Sequence, residues 1–306
     1  MEKAKVKGHL AVLFANVIFG LNVPITKSLL TGWMTPMGYT TTRMLFGAFI
    51  FWLIGLFAPK EKVEVKDLLI IAAGGLFGLI VPQYTFALGL QYTSPVNFSL
   101  IVALGPIAVM LLAALFLKEP ITMKKALGVL LGISGALVIV FQNRSFGSGP
   151  NDMLGILLAL VNITNYGIYL IIIRKISSKY SPVTLMKWMF FFTVVFILPF
   201  GYADLFTQQI YASGVPWTAY LQFAFILIFS TAVAYFLIPV SLKTLRPTTV
   251  SVYMNLQPII ASTVAILVGQ DVFSWDKPLA VALVIAGVIV VTQSKSREDV
   301  EKEGAA

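Results

Sequence analysis

Apolar residues run almost unbroken along this chain, in ten stretches that short polar, glycine-rich or proline-rich breaks separate. The stretches cover about residues 8–29, 36–58, 68–90, 94–117, 126–141, 153–173, 182–202, 217–241, 247–269 and 278–292. The breaks carry charges and turn residues, as in Lys60 to Asp67 and Lys118 to Pro120. An apolar run of about 20 residues is long enough to cross the hydrocarbon core of a bilayer as a helix. The pattern therefore predicts an all-α integral membrane protein with ten transmembrane helices, of which the fifth and tenth are short or tilted.

The composition excludes a water-soluble fold of this size. Of the 306 residues, 58% are hydrophobic and only 11% are charged, whereas a soluble domain has about 25% charged residues. The mean hydropathy is +0.89. The chain has no cysteine and a single histidine, His9, which excludes disulfides, thiolate nucleophiles and multi-histidine metal sites. Since the sequence also lacks a phosphate-binding glycine loop with lysine, we expect no enzyme activity, no cofactor and no metal.

The formal net charge of +9 would suggest a nucleic-acid partner in a soluble protein. Here the basic residues concentrate in alternate breaks between the apolar stretches. If the N-terminus is cytoplasmic, 17 basic residues fall on the cytoplasmic side and three on the opposite side. Because cytoplasmic loops are enriched in Lys and Arg, this split predicts an inner (plasma) membrane protein with both termini in the cytoplasm. We therefore expect the lipid bilayer as a partner, and no nucleic acid.

The second half of the chain repeats the first at a shift of 152 residues. About 15 of about 50 positions from Leu90 to Val138 are identical under this shift. The matched pairs include Pro95 with Pro247, Ser99 with Ser251, Pro106 with Pro258, Lys125 with Lys277 and Gly135 with Gly287. The two predicted repeats are 8–141 and 153–293, followed by a cytoplasmic tail, 294–306. Since five helices is an odd number, the second repeat must be inverted in the membrane, which is typical of secondary transporters that bind substrate at the repeat interface.

Motifs in both halves resemble the drug/metabolite transporter superfamily, in its EamA-type branch. The first half carries Gly89 to Pro95, Leu104-Gly105-Pro106, Leu117-Lys118-Glu119, Gly128 and Gly135. The second half carries Leu245-Arg246-Pro247, Leu256-Gln257-Pro258, Gly269-Gln270-Asp271 and Gly287. The resemblance implies ten helices in two inverted five-helix repeats, cytoplasmic termini and alternating access. Asp271 stands at the position that matches Glu119, which weakens any mechanism that needs two equivalent glutamates.

Polar side chains inside the apolar stretches are candidates for substrate contacts. Such groups are costly in hydrocarbon, so they face a cavity or another helix. The candidate substrate-binding residues are Asn16, Phe19, Arg43, Gln83, Tyr84, Asn162, Tyr166, Tyr235, Tyr253, Asn255 and Gln257. The candidate kink or gating residues are Pro82, Pro106, Pro239 and Pro258. The alternative is that the amides only bridge helices and the prolines only bend them.

Arg43 is the most unusual of these residues, because it lies inside the second stretch with no carboxylate beside it in the sequence. One interpretation is that it binds a substrate carboxylate or phosphate. The other is that it bonds to helix-end carbonyls or extends towards the membrane surface.

The leading functional hypothesis is a secondary transporter that exports small organic metabolites, amino acids or related compounds, across the inner membrane. A lipid-linked or nucleotide-sugar translocator is an alternative, and it would need a second deep basic residue, for which Lys187 is the candidate. A non-transporting scaffold or receptor is an alternative of another class. The glycine face of Gly128, Gly132 and Gly135 predicts close helix packing, within one chain or across a homodimer.

Overall fold

The computed structural model describes residues 2–93, 98, 101–142, 151–267 and 275–294. All regular secondary structure within these ranges is helical. The predictions that concern Pro95, Ser99, Asp271 and the tail from residue 295 onwards lie outside the described residues.

Ten helical rods follow one another in the described residues, one for each predicted stretch. They are α1 (Glu2–Gly32), α2 (Pro36–Phe57), α3 (Val65–Tyr92), α4 (Gly105–Leu117), α5 (Met123–Gln142), α6 (Asp152–Ile176), α7 (Pro182–Phe206), α8 (Trp217–Leu242), α9 (247–267) and α10 (Asp276–Thr292). Six of them, α1 to α3 and α6 to α8, are long and apolar enough to cross a membrane, and α4 and α10 contribute shorter apolar helices. The all-helical membrane fold is therefore confirmed, while ten complete crossings stay a prediction.

Several rods begin at a proline that follows a capping residue. Pro36 follows Thr35, whose hydroxyl accepts a hydrogen bond from the Gly38 backbone. Pro182 follows Ser181, whose hydroxyl accepts one from the Thr184 backbone. Proline suits the first helical position because the N–H it lacks would have no partner there. These local signals explain why the predicted starts at 36 and 182 coincide with the observed ones.

Three rods depart from regular α-helix geometry near the middle of the molecule. In α3 a π-helical stretch, Leu76–Ile80, joins Val65–Gly75 to Val81–Tyr92. In α8 a longer one, Ile226–Ala234, joins Trp217–Phe225 to Tyr235–Leu242. A shift of 152 residues places the first stretch inside the second.

In α9 the irregular segment is a 3-10 turn, Tyr253–Asn255, which separates Pro247–Val252 from Leu256–Leu267. All three irregular segments lie next to residues that the sequence analysis singled out, and such segments are frequent at functional sites.

The main contacts between the rods are retained when the first five rods are exchanged for the last five. Rod α5 packs along α10, and α2 packs along α7. Rod α3 packs against α6 as α8 packs against α1, and α4 packs against α6 as α9 packs against α1. A two-fold relationship between the halves requires this pattern of contacts.

Glycine allows the closest of these approaches, between α5 and α10. A methyl group added at Gly287 would lie 2.6 Å from the carbonyl oxygen of Gly128 and 2.7 Å from the nitrogen of Gly132. The glycine face of α5 is therefore covered within the chain, by α10.

The helix ends meet at two faces of the molecule. At the first, called the basic face, Arg174 donates to the Leu242 carbonyl (2.5 Å) and Arg246 to the Val291 carbonyl (2.8 Å). At the opposite face, the Ile210 backbone N–H donates to the Trp33 carbonyl at 3.0 Å. Ends that alternate between two faces are what successive membrane-crossing helices produce.

Candidate functional site

A cavity lies between α1, α3, α6, α8, α9 and the residues that precede α4, and it contains most of the predicted polar residues. Its walls are Phe19, Asn22, Val23, Pro82, Gln83, Phe86, Phe98, Val102, Asn162, Tyr166, Tyr235, Met254, Gln257 and Pro258. The volume of the cavity is about 110 Å³, several times the roughly 10–15 Å³ that one water molecule needs. The cavity therefore has room for a small solute.

Arg43 lies directly behind the cavity wall, fully buried, and four neutral side chains surround its guanidinium group. Its Nε donates to the Thr231 hydroxyl (2.8 Å), and its terminal nitrogens donate to Tyr39 (2.7 Å), Ser230 (3.0 Å) and Gln83. No acidic side chain of the described residues forms an ion pair with it. The cation therefore neither reaches the membrane surface nor touches the cavity, and Gln83 alone of these partners lines the cavity.

Arg43 fixes the direction of a chain of hydrogen bonds that ends in the cavity. A guanidinium group can only donate, so the Gln83 side-chain oxygen must face it. The Gln83 amide nitrogen then donates to the hydroxyl oxygen of Tyr235. Within the described part of the chain, the Tyr235 hydroxyl proton has no acceptor. This chain, called the donor relay (Arg43, Gln83, Tyr235), therefore presents donors to a solute.

A second chain of hydrogen bonds has the reverse direction. The Val12 carbonyl accepts from the Asn16 amide nitrogen at 2.9 Å, and the Asn16 oxygen accepts from the Gln257 amide nitrogen at 2.9 Å. A backbone carbonyl can only accept, so this order leaves the Gln257 side-chain oxygen as the end at the cavity wall. We call this chain the acceptor relay (Val12, Asn16, Gln257). Asn16 itself does not line the cavity but lies behind Gln257, which does.

Asn162 adds a second acceptor in the same way. Its amide nitrogen donates to the Pro82 carbonyl at 2.6 Å, so its side-chain oxygen is left for the cavity that both residues line. The cavity wall thus carries hydrogen-bond donors at Gln83 and Tyr235 and acceptors at Gln257 and Asn162.

Aromatic and aliphatic side chains form the rest of the wall. Phe19 packs edge-on against Tyr235, with ring centroids 5.3 Å apart, and Phe86 packs edge-on against Phe98 at 5.5 Å. Met254 lies in the wall as the middle residue of the 3-10 turn of α9. A pocket with apolar walls and a few oriented polar groups is the usual form of a small-molecule site.

Three predicted residues lie away from the cavity. Tyr84 lines a separate apolar groove between α2, α3 and α7. Tyr253 forms a hydrogen bond with the His9 ring at 2.8 Å. Asn255 is fully buried near Gly132 of α5, and neither polar atom of its side chain has a partner in the described part of the chain.

The predicted prolines have different positions. Pro82 and Pro258 line the cavity. Pro106 stands in the first turn of α4, where it begins a helix, and Pro239 lies inside α8, away from the cavity wall.

Six wall residues were missing from the sequence prediction. They are Asn22, Val23, Phe86, Phe98, Val102 and Met254. Four of these carried a usable signal, because each lies three or four residues from a predicted residue and so on the same helix face: Asn22 and Val23 after Phe19, Phe86 after Gln83, and Met254 before Gln257. The other two, Phe98 and Val102, lie in a predominantly apolar stretch, where nothing in the sequence marks the face that meets the cavity.

A buried ion pair lies at the basic face, where α4, α5 and α9 meet. Lys125 lies 2.8 Å from the Glu119 carboxylate, with side chains 1% and 9% exposed. The Thr248 hydroxyl donates to the same carboxylate at 3.3 Å.

A second charge cluster at this face, exposed at Lys179 and Glu64, joins Lys179 to Glu64 (2.9 Å) and to the buried Asp67. Hydrogen bonds from Lys179 and Lys66 hold the pKa of Glu64 below its usual value. Hydrogen bonds to Asp67 and Glu64 raise the pKa of Lys179.

Comparison with known proteins gives the same fold and a transport family. The profile of the EamA-like transporter family matches residues 6–141 and 153–293. The uncharacterized transporter YyaM of Bacillus subtilis is 23% identical over 269 residues, which cover 85% of this chain and 86% of that protein. The uncharacterized transporter YvbV of the same organism is 24% identical over 292 residues, covering 94% and 90%. A solved crystal structure with 18% identity covers 95% of this chain and 97% of its own, with a TM-score of 0.74, and so shares the fold.

Proposed function

Because this chain belongs to the EamA-like transporter family, and is therefore a multi-pass membrane transporter, we propose that it carries amino acids and related small zwitterions. We propose further that it works by alternating access and exports its substrates across the inner membrane. The observation that carries the substrate class is the wall of the cavity, where donors at Gln83 and Tyr235 and acceptors at Gln257 and Asn162 surround one small space.

A zwitterion uses both kinds of group at once. Its carboxylate needs hydrogen-bond donors and its ammonium group needs acceptors, while an apolar side chain fits against Phe19, Phe86 and Met254. Polar groups that are fixed before the solute arrives favour it over analogues that leave them unpaired. An aliphatic amino acid such as leucine satisfies this requirement.

The cavity gives less support to a nucleotide-sugar or lipid-linked substrate. The second basic residue that such a substrate calls for is absent from the described wall. Lys187, the candidate for that role, packs between the rings of Trp52 (5.0 Å) and Trp188 (5.6 Å) instead.

Two features support alternating access. The main contacts between the rods are symmetric under exchange of the halves, as expected of inverted repeats that rock around a shared site. The buried Glu119 carboxylate, paired with Lys125, also accepts a hydrogen bond from Thr248 of α9, so that this face is closed where α4, α5 and α9 meet. We assign the basic face to the cytoplasm, which places both termini there.

Counterflow in proteoliposomes tests the proposed function. Vesicles that contain the purified protein and are loaded with unlabelled leucine are expected to take up radiolabelled leucine faster than the same vesicles without internal leucine. Gln257→Leu removes the acceptor at the cavity and should lower the apparent affinity for leucine by about tenfold. Tyr84→Phe is the matched control outside the cavity and should leave uptake unchanged. Leucine uptake no faster than in protein-free vesicles would contradict the proposal for this amino acid.

A further inference from the structure

We infer that the Tyr235 hydroxyl and the Gln83 amide nitrogen form a carboxylate subsite, and that Arg43 determines its charge preference without touching the solute. This inference deepens the proposed function, on which it rests, by assigning the orientation of the zwitterion. The inference rests on the donor relay, which begins at the buried cation Arg43 and ends at Tyr235 in the cavity.

The direction of the donor relay follows from chemistry alone. Arg43 has no acceptor, so Gln83 must turn its oxygen inwards and its nitrogen towards Tyr235. The proton of Tyr235 and the second amide proton of Gln83 are then left without acceptors in the described part of the chain. Two adjacent donors match the two oxygens of a carboxylate.

The charge of Arg43 strengthens these donors. Hydrogen bonds in a chain polarise one another, and more strongly in a medium of low dielectric constant. Because Tyr39, Ser230 and Thr231 are neutral, nothing in the described surroundings cancels the guanidinium charge. A carboxylate at the outer end of the donor relay would compensate the charge, whereas an ammonium group there would be repelled by it.

The acceptors elsewhere on the wall complete the orientation. The oxygens of Gln257 and Asn162 suit an ammonium group, and neither is connected to Arg43 by a hydrogen bond. An amino acid therefore binds with its carboxylate at Tyr235 and its ammonium group at Gln257 and Asn162.

The test uses two probes of similar size and opposite charge, 4-methylpentanoate and isoamylamine. Their affinities are obtained from the concentration dependence of the unfolding midpoint of the purified protein in detergent. In the unmodified protein the acid should bind about tenfold more tightly than the amine, because the uncompensated charge of Arg43 favours an anion in the cavity over a cation.

Gln83→Glu is the decisive variant, because it changes charge and relay direction at nearly constant shape. The new carboxylate compensates Arg43 and accepts the Tyr235 proton, which removes the donor end from the cavity. The preference should then reverse, and the amine should bind at least as well as the acid. Arg43 keeps all its partners in this variant, so folding should be preserved.

Tyr235→Phe removes the hydroxyl but keeps the charge of Arg43, so it tests the two contributions separately. It should weaken binding of the acid by about tenfold and leave binding of the amine unchanged. Tyr84→Phe removes a hydroxyl from a membrane helix outside the cavity and should change neither affinity.

Three outcomes would each overturn the inference. They are equal affinity of the unmodified protein for the acid and the amine, no binding of either probe, and an unchanged preference in Gln83→Glu. The proposed function fails independently. If leucine counterflow is absent while the probe preference exists and reverses in Gln83→Glu, the carboxylate subsite holds and amino-acid transport does not.

Discussion

The amide nitrogen of Gln83 donates a hydrogen bond to the hydroxyl of Tyr235, and the two residues stand 152 positions apart in the sequence. The same spacing relates the two halves of the chain, so residues that correspond under the repeat are in direct contact. Two corresponding residues touch when both lie close to the axis that relates the halves. The donor end of the cavity is therefore at the junction of the two predicted repeats.

Removal of Arg43 should destabilise the protein strongly. Arg43→Ala leaves Gln83, Ser230 and Thr231 without their shared donor in a buried site, which should lower the free energy of unfolding by roughly 2–4 kcal/mol. Arg43→Lys keeps the charge but cannot reproduce the planar set of donors, so it should give an intermediate loss. Thermal unfolding in detergent measures both, with Lys124→Ala, which changes an exposed side chain, as the control. An Arg43→Ala protein as stable as the control would show that the buried hydrogen bonds of Arg43 do not stabilise the fold.

Adjacent lysines on α5 should respond differently to substitution. Lys125→Ala leaves the Glu119 carboxylate buried without its cation and should cost about 3–5 kcal/mol of stability. Lys124→Ala changes an exposed side chain and should be nearly neutral. If the two variants unfold at the same temperature, the ion pair does not hold the basic face together.

The α5–α10 contact should not tolerate a single added methyl group. In Gly287→Ala the new methyl would meet the backbone of Gly128 and Gly132, which cannot turn aside as a side chain can. The expected loss is about 1–3 kcal/mol. A methyl added at Gly32 meets nothing within 4 Å, so Gly32→Ala serves as the control and should keep the unmodified midpoint. Equal midpoints for the two alanine variants would show that the rods are farther apart than described.

The exposed charge cluster at the basic face should make stability depend on pH at both extremes. The pKa of Glu64 is lowered in the folded protein, so its contribution is present above its unfolded value of about 4.3 and is lost as the pH falls through the folded value. The pKa of Lys179 is raised, so its contribution is present below about 10.4 and is lost as the pH rises through the folded value.

Stability should therefore be flat between these limits as far as this cluster is concerned. Lys179→Ala should reduce the fall of the unfolding midpoint on acidification from pH 6 to pH 3, and Lys175→Ala should not. A Lys179→Ala protein with the full acid dependence would show that the contacts of Lys179 contribute nothing to it.

The sequence predicts the helices far better than it predicts the site. Charged breaks and prolines at helix starts mark the rods, because a continuous apolar stretch has few alternatives in a membrane. The faces of those rods are harder to predict, since a helix that is apolar on every side has no polar face to orient it. Tyr84 and Gln83 are neighbours in the sequence, yet only Gln83 reaches the cavity.

Arg43 shows the same limit for a charged residue. The sequence indicates that it needs partners but not which ones, because Thr231 and Gln83 approach it from other rods. The pairing of Gln83 with Tyr235 was within reach, since the repeat relates them, whereas the π-helical stretches leave no mark in a uniformly apolar run.

The π-helical stretch Leu76–Ile80 determines the direction in which the side chains after it in α3 face. A π-turn amounts to one residue inserted into an α-helix, and each residue of an α-helix turns the chain by about 100°. Deleting one residue from the stretch would leave a helix equally apolar and equally able to cross the membrane, but Gln83 would turn away from both Arg43 and Tyr235. Membrane insertion and the fold therefore do not depend on this extra residue, whereas the placement of the hydrogen-bond donors in the cavity does.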